Sequence, residues 1–374
     1  MSSTQMLTDN ALTVKLWEMK AWTQASRMSY FGKMVADGAV YMPEEFKGRD
    51  VKGDSVTFSY AGKMTGVPRG EGGTLDGNEQ ALDLQSHSMV VNESRDAILI
   101  PNSGIEPQRT KVNMEKVANE LIPMRAMELL DASAFQQLAG VDPTSFTIDG
   151  ATYASAADKK HVQGHNSIVD PTTDRILRAA GAATDQALTS ADTMTLQLID
   201  YALEKNDLSD QPIAPCNDGF FHFYMSPADA VNLKHDAGSA IQWYTNQLAN
   251  IQGGKEDQLT NRIMNQKIFL GTYGNVKLWQ APRVAYGANS SSSAVITTVR
   301  RNVLVGKDAL SFASPYGGRP SDTDVPLKIV NQLKDYNKYK GVGFEMLYGL
   351  KKMSPSNKED TGVIVIGTYA AAHS

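Results

Sequence analysis

Leu12, Leu16, Met19, Trp22, Ala25 and Met28 recur three or four positions apart, which places them on one stripe of a helix. Trp17, Tyr30 and Phe31 fall outside that stripe, so the segment is apolar on more than one face and needs more than one neighbour. An ordinary core helix and an N-terminal arm laid on another copy of the chain both meet that need. Periodicity alone does not separate them.

Ser55-Val56-Thr57-Phe58-Ser59-Tyr60 alternates polar and apolar without a break, the pattern of a strand with one buried face. Leu82-Asp83-Leu84-Gln85 alternates again, and Met89-Val90-Val91 continues that run. Between them lies a charged, glycine-rich stretch from Ala61 to Gln80. Hairpin loops usually take ~2–5 residues, so this connector is long for a compact domain. It is either a surface loop or the tip of a hairpin that reaches away from its own subunit. An isolated two-stranded hairpin is marginal in water, so a reaching one must find its burial on a partner.

A helical pattern follows from about Glu106 to Ala139, with apolar Val112, Val117, Leu121, Met124, Leu130, Phe135 and Leu138. Pro123 removes one backbone donor from it, which predicts a kink or two abutting helices, and Gly140 with Pro143 predicts its stop. From Gly140 to Gly181 the pattern weakens into connecting structure. Ser190-Ala191-Asp192 predicts a helix start running to Asn206. Gly219–Met225 predicts a strand buried on both faces, with Ser226-Pro227 opening a helix after it. A further helix is predicted over Ala240–Ile251. Strands are predicted at Val276–Trp279, Ala294–Val299, Val303–Val305, Gly343–Tyr348 and Val363–Ile366. Helices and strands mix without βαβ alternation, so the fold class is α+β.

Composition changes this picture mainly by exclusion. The 374 residues carry 36 basic and 41 acidic side chains, a net charge of −5, which argues against coating nucleic acid by bulk electrostatics. One cysteine, Cys216, permits neither an internal disulfide nor a cysteine-rich zinc site, so a reducing compartment is expected. No apolar run reaches the ~20 residues of a membrane span, and the first residues lack the pattern of a secretory signal. The chain reads as soluble.

Candidate chemistry is thin. His161 and His165 are four apart, the spacing of ligands on a helix face, but Gly164 weakens a helix there and no third ligand is evident. Solvated loop histidines are the plainer reading. Cys216 has no local signature of a nucleophile and reads as a buried small hydrophobe. His235 beside Asp236 lacks a serine elbow anywhere in the chain. Gly70–Gly77 lacks the lysine and hydroxyl residue of a phosphate loop. Five lysines between Lys334 and Lys352 read as a solvated strand face rather than a nucleic-acid site. A soluble hydrolase using Cys216 or His161/His165 is the alternative of a different class. No cofactor or metal is expected.

The order of parts is more specific than any single residue. Lys15-Leu16-Trp17, Gly53-Asp54-Ser55-Val56-Thr57-Phe58, Leu75-Asp76-Gly77-Asn78-Glu79, Leu129-Leu130-Asp131 with Phe135, Asp335-Tyr336, Gly349-Leu350-Lys351-Lys352 and Thr361-Gly362-Val363-Ile364-Val365 follow one another in a pattern. That pattern resembles the major capsid protein of tailed bacteriophages with the Hong Kong 97-type fold, and within it the coat proteins of podophages of the N-four type. An encapsulin-type nanocompartment shell shares the fold and is the alternative in the same class.

The resemblance implies an N-terminal arm over 1–50, an extended hairpin loop over 51–100, a peripheral domain over 101–170 with 335–374, and an axial domain over 171–334. It implies a structural protein, not an enzyme, that assembles in the host cytoplasm as pentamers and hexamers into the icosahedral virion head. Implied partners are the portal protein, a separate scaffolding protein, and packaged double-stranded DNA contacted without sequence specificity; whether a decoration protein binds outside is left open by the sequence. Contacts between subunits are expected at Leu16, Trp17, Trp22, Phe31, Val56, Phe58, Tyr60, Gly72, Gly73, Leu82 and Leu84. A compact globule of this length has a radius of gyration of about 21 Å. A flat tile with reaching arms would exceed it.

Overall fold

The computed structural model describes residues 29–43, 54–61, 66–79, 81–82, 84–103, 114–148, 150–236, 269–316, 326–354 and 360–372. The predicted helices over Leu12–Met28 and Ala240–Ile251 lie outside these residues, as does the predicted start of the long helix before Met114.

In chain order the regular elements are α1 (Tyr30–Ala36), β1 (Val40–Tyr41), β2 (Ser55–Ala61), β3 (Leu84–Val90), β4 (Asn92–Pro101), α2 (Met114–Ala139), β5 (Phe146–Ile148), β6 (Ala151–Tyr153), α3 (Ala156–His161), β7 (Ile176–Arg178) and α4 (Leu196–Asp207). They continue as β8 (Phe221–Met225), α5 (Pro227–His235), β9 (Phe269–Tyr273), β10 (Val276–Gln280), β11 (Tyr286–Ala288), β12 (Val295–Val305), β13 (Leu310–Ala313), β14 (Leu327–Lys334), β15 (Tyr339–Lys352) and β16 (Val363–Tyr369). The class is α+β, as the mixed pattern predicts.

Two sheets organise these elements. In the first, β1, β13, β15 and β14 are neighbours in that order, and β4 also pairs with β15. In the second the order is β7-β16-β12-β8-β10-β9, with β11 on β12. Among the described residues, β2 pairs only with β3, and β5 only with β6. The last strand, β16, therefore lies inside the second sheet, antiparallel to β12 and parallel to β7. The sheets do not divide at Asp335, where the sequence reading places a domain boundary.

The second sheet is covered on both faces, and its period of two sorts its residues between two cores. Phe221, Phe223, Met225, Ile364 and Ile366 pack with Leu196, Ile199 and Ala202 of α4 and with Ala230 and Leu233 of α5. Tyr224, Val363 and Val365 face the other way, into the core built around α2 and β15.

α2 is the axis of that core. It runs unbroken for 26 residues with Pro123 inside it, so of the two expectations, a kink or two abutting helices, the second does not occur. Pro123 is itself buried, and packing along the C-terminal half of the helix outweighs one missing backbone bond. Gly140 ends the helix in the left-handed region (φ 61°), and a Cβ there would stand 2.6 Å from the Val169 carbonyl oxygen.

α1 docks on α2 through polar and apolar contacts together. Ser29 caps it, accepting from the Gly32 amide at 2.9 Å. Asp131 of α2, fully buried, accepts the backbone N–H of Phe31 at 2.8 Å and of Tyr30 at 3.3 Å. A carboxylate at a helix N-terminus meets the orphan amides and the positive end of the dipole. Burial still pushes Asp131 up to about 7, against the pull of those amides and of Arg283. Tyr30 meets Phe135 edge-on at 5.7 Å between ring centroids, and Phe31 lies 5.0 Å from Phe312.

Candidate assembly surface

The alternation read in the sequence produces an antiparallel ribbon. β2 and β3 pair from Ser55↔Val90 to Ala61↔Leu84. Along β3, Gln85, His87 and Met89 turn inward while Leu84, Ser86, Ser88 and Val90 face out. Near its base the ribbon is bound to its own subunit. Val56, Phe58 and Leu347 pack on Met89, Val91 and Ala313. Phe58 sits between the rings of Tyr41 (5.2 Å) and His87 (5.0 Å). His87 Nε2 is 3.0 Å from Ser311 Oγ, and burial with the nearby Lys351 charge pushes this histidine down to about 4.

Main-chain contacts tie the same end. Val90 N–H donates to Asn166 Oδ1 at 2.8 Å, Asn166 Nδ2 donates back to the Val90 carbonyl at 3.0 Å, and Lys351 Nζ donates to the Ser88 carbonyl at 2.7 Å. Gly349 makes this approach feasible, since a Cβ there would stand 2.3 Å from the Val90 oxygen.

Away from the base, no described residue of the subunit covers the ribbon. Residues 66–79 are exposed throughout the described stretch, with Gly72 and Gly73 among them. The tip is nevertheless shaped by local bonds: Arg69 Nη2 to Asn78 Oδ1 at 2.6 Å, Gly77 N–H to Glu79 Oε2 at 2.8 Å, and Asn78 N–H to the Leu75 carbonyl at 2.9 Å. Gly72 and Gly77 both have positive φ, 86° and 79°. Leu82 is 67% exposed and Leu84 64%, and Leu75 is open as well. Isolated exposed leucines are ordinary; here three fall between positions 75 and 84 of one narrow ribbon.

The expected contact residues thus fall into separate groups. Leu82, Leu84, Gly72 and Gly73 are exposed on the ribbon, while Val56 and Phe58 are half-buried against their own subunit. The Tyr60 side chain, Leu16, Trp17 and Trp22 lie outside the described residues. Phe31 is corrected: at 1% exposure it belongs to the core under α2, because α1 turns its Tyr30–Met34 face onto Asp131, Phe135 and Phe312. The sequence reading also missed a second apolar surface. Val117, Leu121 and Met124, spaced as one face of α2, are all exposed. Periodicity finds such a stripe but does not tell which side of it the subunit covers.

The candidate chemical groups resolve into packing. His161 ends α3, and Ser94 Oγ bridges its Nδ1 (2.9 Å) to His165 Nε2 (3.0 Å). His165 is buried, not solvated as expected, and burial beside His161 pushes it down to about 4. Cys216 is buried and donates to the Val305 carbonyl at 3.8 Å; burial, with Asp218 and Asp37 nearby, pushes its thiol up to about 12. A thiol so placed stays protonated and is a poor nucleophile. Lys352 also departs from the expected solvated face: it is fully buried and pairs with buried Asp360 at 2.8 Å. No described helix is long and apolar enough to cross a membrane.

Comparison with known proteins gives one consistent result. A sequence model described as phage capsid protein matches residues 7–372. Among solved structures, the capsid of Ralstonia phage GP4 is 20% identical with a TM-score of 0.69, covering 92% of each chain. The Cyanophage Pam1 capsid is 18% identical with a TM-score of 0.61, covering 89% of each chain. The acidic stable capsid of Helicobacter pylori bacteriophage KHP30 is 13% identical with a TM-score of 0.59, covering 91% of each. Curated protein sequences give no match.

Proposed function

The chain belongs to the phage capsid protein family, and from that premise we propose how its surfaces share the work of building a shell. It is a major capsid protein of the Hong Kong 97-type fold, and copies of it form the capsid of the virion. The family and the matched structures are structural proteins, and the buried environments of Cys216 and His165 favour a chain without a catalytic role.

The ribbon β2–β3 is the main tie between neighbouring subunits, and the observation that carries this is its uneven burial. Its base is bound to its own subunit at His87, Met89 and Val90, while Leu82, Leu84 and the tip over 66–79 are open to solvent. Closed shells place the same patches against one another around each axis, so every subunit gives and receives one such contact. The sheet of β1, β4, β13, β14 and β15 with α2 serves as the peripheral domain, and the sheet centred on β12 and β16 as the axial domain. Pentamers and hexamers close around the axial domains.

A wall with net charge −5 suits a container for packaged double-stranded DNA, since a basic lining would bind phosphates and release counterions at every step of filling. A portal protein and a scaffolding protein complete the assembly. The test is deletion of Lys63–Asn78, followed by electron microscopy of the expressed protein with and without scaffold. A folded subunit that assembles poorly is the expected outcome. Shells formed normally by the deletion variant would remove the ribbon from this role.

A further inference from the structure

A polar group joins the end of α1 to the second sheet, and its hydrogen bonding is incomplete. His222, on β8, is 1% exposed, and its ring is stacked against Trp279 of β10 at 6.0 Å with an interplanar angle of 6°. Its Nε2 lies 2.9 Å from Asp218 Oδ2. The same oxygen accepts from Lys277 Nζ at 2.5 Å, and Asp218 Oδ1 accepts the Phe220 N–H at 3.1 Å. With a lysine and an amide already donating to it, Asp218 is an ionised acceptor. In the neutral ring the proton therefore sits on Nε2, which leaves a lone pair on Nδ1.

That lone pair faces the wrong partner. Nδ1 is 3.3 Å from Asp37 Oδ2, just past the end of α1, and neither atom makes a hydrogen bond among the described residues. Two acceptors facing each other across 3.3 Å repel unless a proton or a metal cation lies between them. The spacing suits a metal ion. Two ligand atoms each ~2.1 Å from zinc and separated by an angle of about 100–105° stand about 3.3 Å apart.

We propose that Asp37 and His222 hold a divalent cation of zinc type, with Asp218 supporting the histidine from its far nitrogen and water completing the coordination. One ligand atom each from Asp37, Asp218 and His222 lies within 4.8 Å of the others. A metal-bound histidine commonly donates its second ring N–H to a carboxylate, which fixes ring and tautomer, and Asp218 is placed to do this. Nδ1 is the ring nitrogen that Asp218 does not engage, and it is the one turned toward Asp37. The Asp37 side chain is 21% exposed, which gives the ion a route from solvent.

Two lysines set the limits of the site. Lys277 is neutralised by Asp218, but the Lys33 ammonium lies 3.4 Å from the Trp279 ring centroid and adds positive charge nearby. Binding is weakened by it, and the nitrogen ligand favours zinc over the hard, oxygen-seeking magnesium or calcium. An ion here staples the segment leading to the ribbon onto β8.

The experiment is equilibrium dialysis of the unassembled full-length chain against zinc chloride near pH 7, with bound metal quantified. One zinc per chain is expected, retained in a tenfold excess of magnesium. Asp37→Asn and His222→Gln should lose it, and Asp218→Asn should weaken it roughly 10- to 100-fold. Zinc should also raise the melting temperature of the wild type and not of Asp37→Asn, a variant at the solvent edge that decides the matter even if His222→Gln fails to fold. His165→Gln should bind as the wild type does. No zinc retained by the wild type at hundred-micromolar metal, or equal binding by Asp37→Asn, would overturn the site. Neither readout requires shells, so failure here is distinct from failure of the assembly role.

Discussion

Replacing Leu82 and Leu84 together by serine tests the ribbon where its burial is least complete. Full burial of a leucine side chain contributes about 1.5–3 kcal/mol. The subunit leaves 67% of Leu82 and 64% of Leu84 open, so covering them on a neighbour contributes about 1–2 kcal/mol each. The pair then accounts for about 2–4 kcal/mol per subunit, or roughly 30- to 1000-fold in an association constant at ~1.4 kcal/mol per tenfold. Because each subunit in a closed shell makes the contact once, the critical concentration for assembly should rise by about that factor. Light scattering across a subunit dilution series measures it, with electron microscopy to identify the products. Subunit stability should change by no more than about 0.5 kcal/mol, as for other exposed positions, and a circular dichroism melt checks this. If the folded double variant assembles at the wild-type concentration, these leucines stay exposed in the shell and the ribbon does not act through them.

Phe31→Ala should have the opposite signature, costing the isolated subunit about 3–5 kcal/mol in urea unfolding; a loss below ~1 kcal/mol would contradict its place between α2 and Phe312. Asp131 gives a pH test. Its folded pKa of about 7 lies above an unfolded value near ~3.9, so its contribution is full below ~4 and is lost as pH rises through 7. About 2–3 kcal/mol should disappear between about pH 5 and 8, and Asp131→Asn should flatten that part of the stability curve; an unchanged slope would refute the assignment. Lys352→Met leaves Asp360 buried without its partner and should cost about 3–5 kcal/mol, whereas adding Asp360→Leu should restore most of it. Equal losses in the single and double variants would show that the pair is not coupled.

Local patterns were legible wherever a neighbour in sequence decides the structure. The alternation at Ser55–Tyr60 predicted β2, and Ser226-Pro227 predicted the start of α5, where Ser226 accepts the Asp229 N–H at 3.1 Å. The same local chemistry misled at Ser190–Asp192. Asp192 accepts from Thr189 N–H and Oγ1 and closes a turn, and α4 begins only at Leu196. Two strands predicted at Ala294–Val299 and Val303–Val305 are one, β12. Arg300-Arg301-Asn302 hides its continuity because the partners of these polar residues are distant: Asn302 Nδ2 donates to Asp229 and Thr368, and Arg301 Nε to Asp185. Such pairings over long separations leave no periodic trace. The ribbon was readable from alternation and glycines. Exposure of the Val117–Met124 face, and burial of Lys352 and His165, depend on which elements lie above them.

The place of β16 sets an order of events during synthesis. It pairs with β12 from Val299↔Tyr369 to Val305↔Val363 and with β7 from Ile176↔Val365 to Arg178↔Gly367, yet a ribosome makes it after every other described strand. Until Val363–Tyr369 emerges, the second sheet has a gap between β7 and β12, and both cores lack apolar residues that they share through this strand. A nascent chain cut short before that point exposes two unpaired edges, a state open to aggregation and proteolysis. Prematurely terminated chains are thus expected to fold poorly and to be cleared before they join a growing lattice. The shell gains a check on the completeness of its parts, written into the strand order alone.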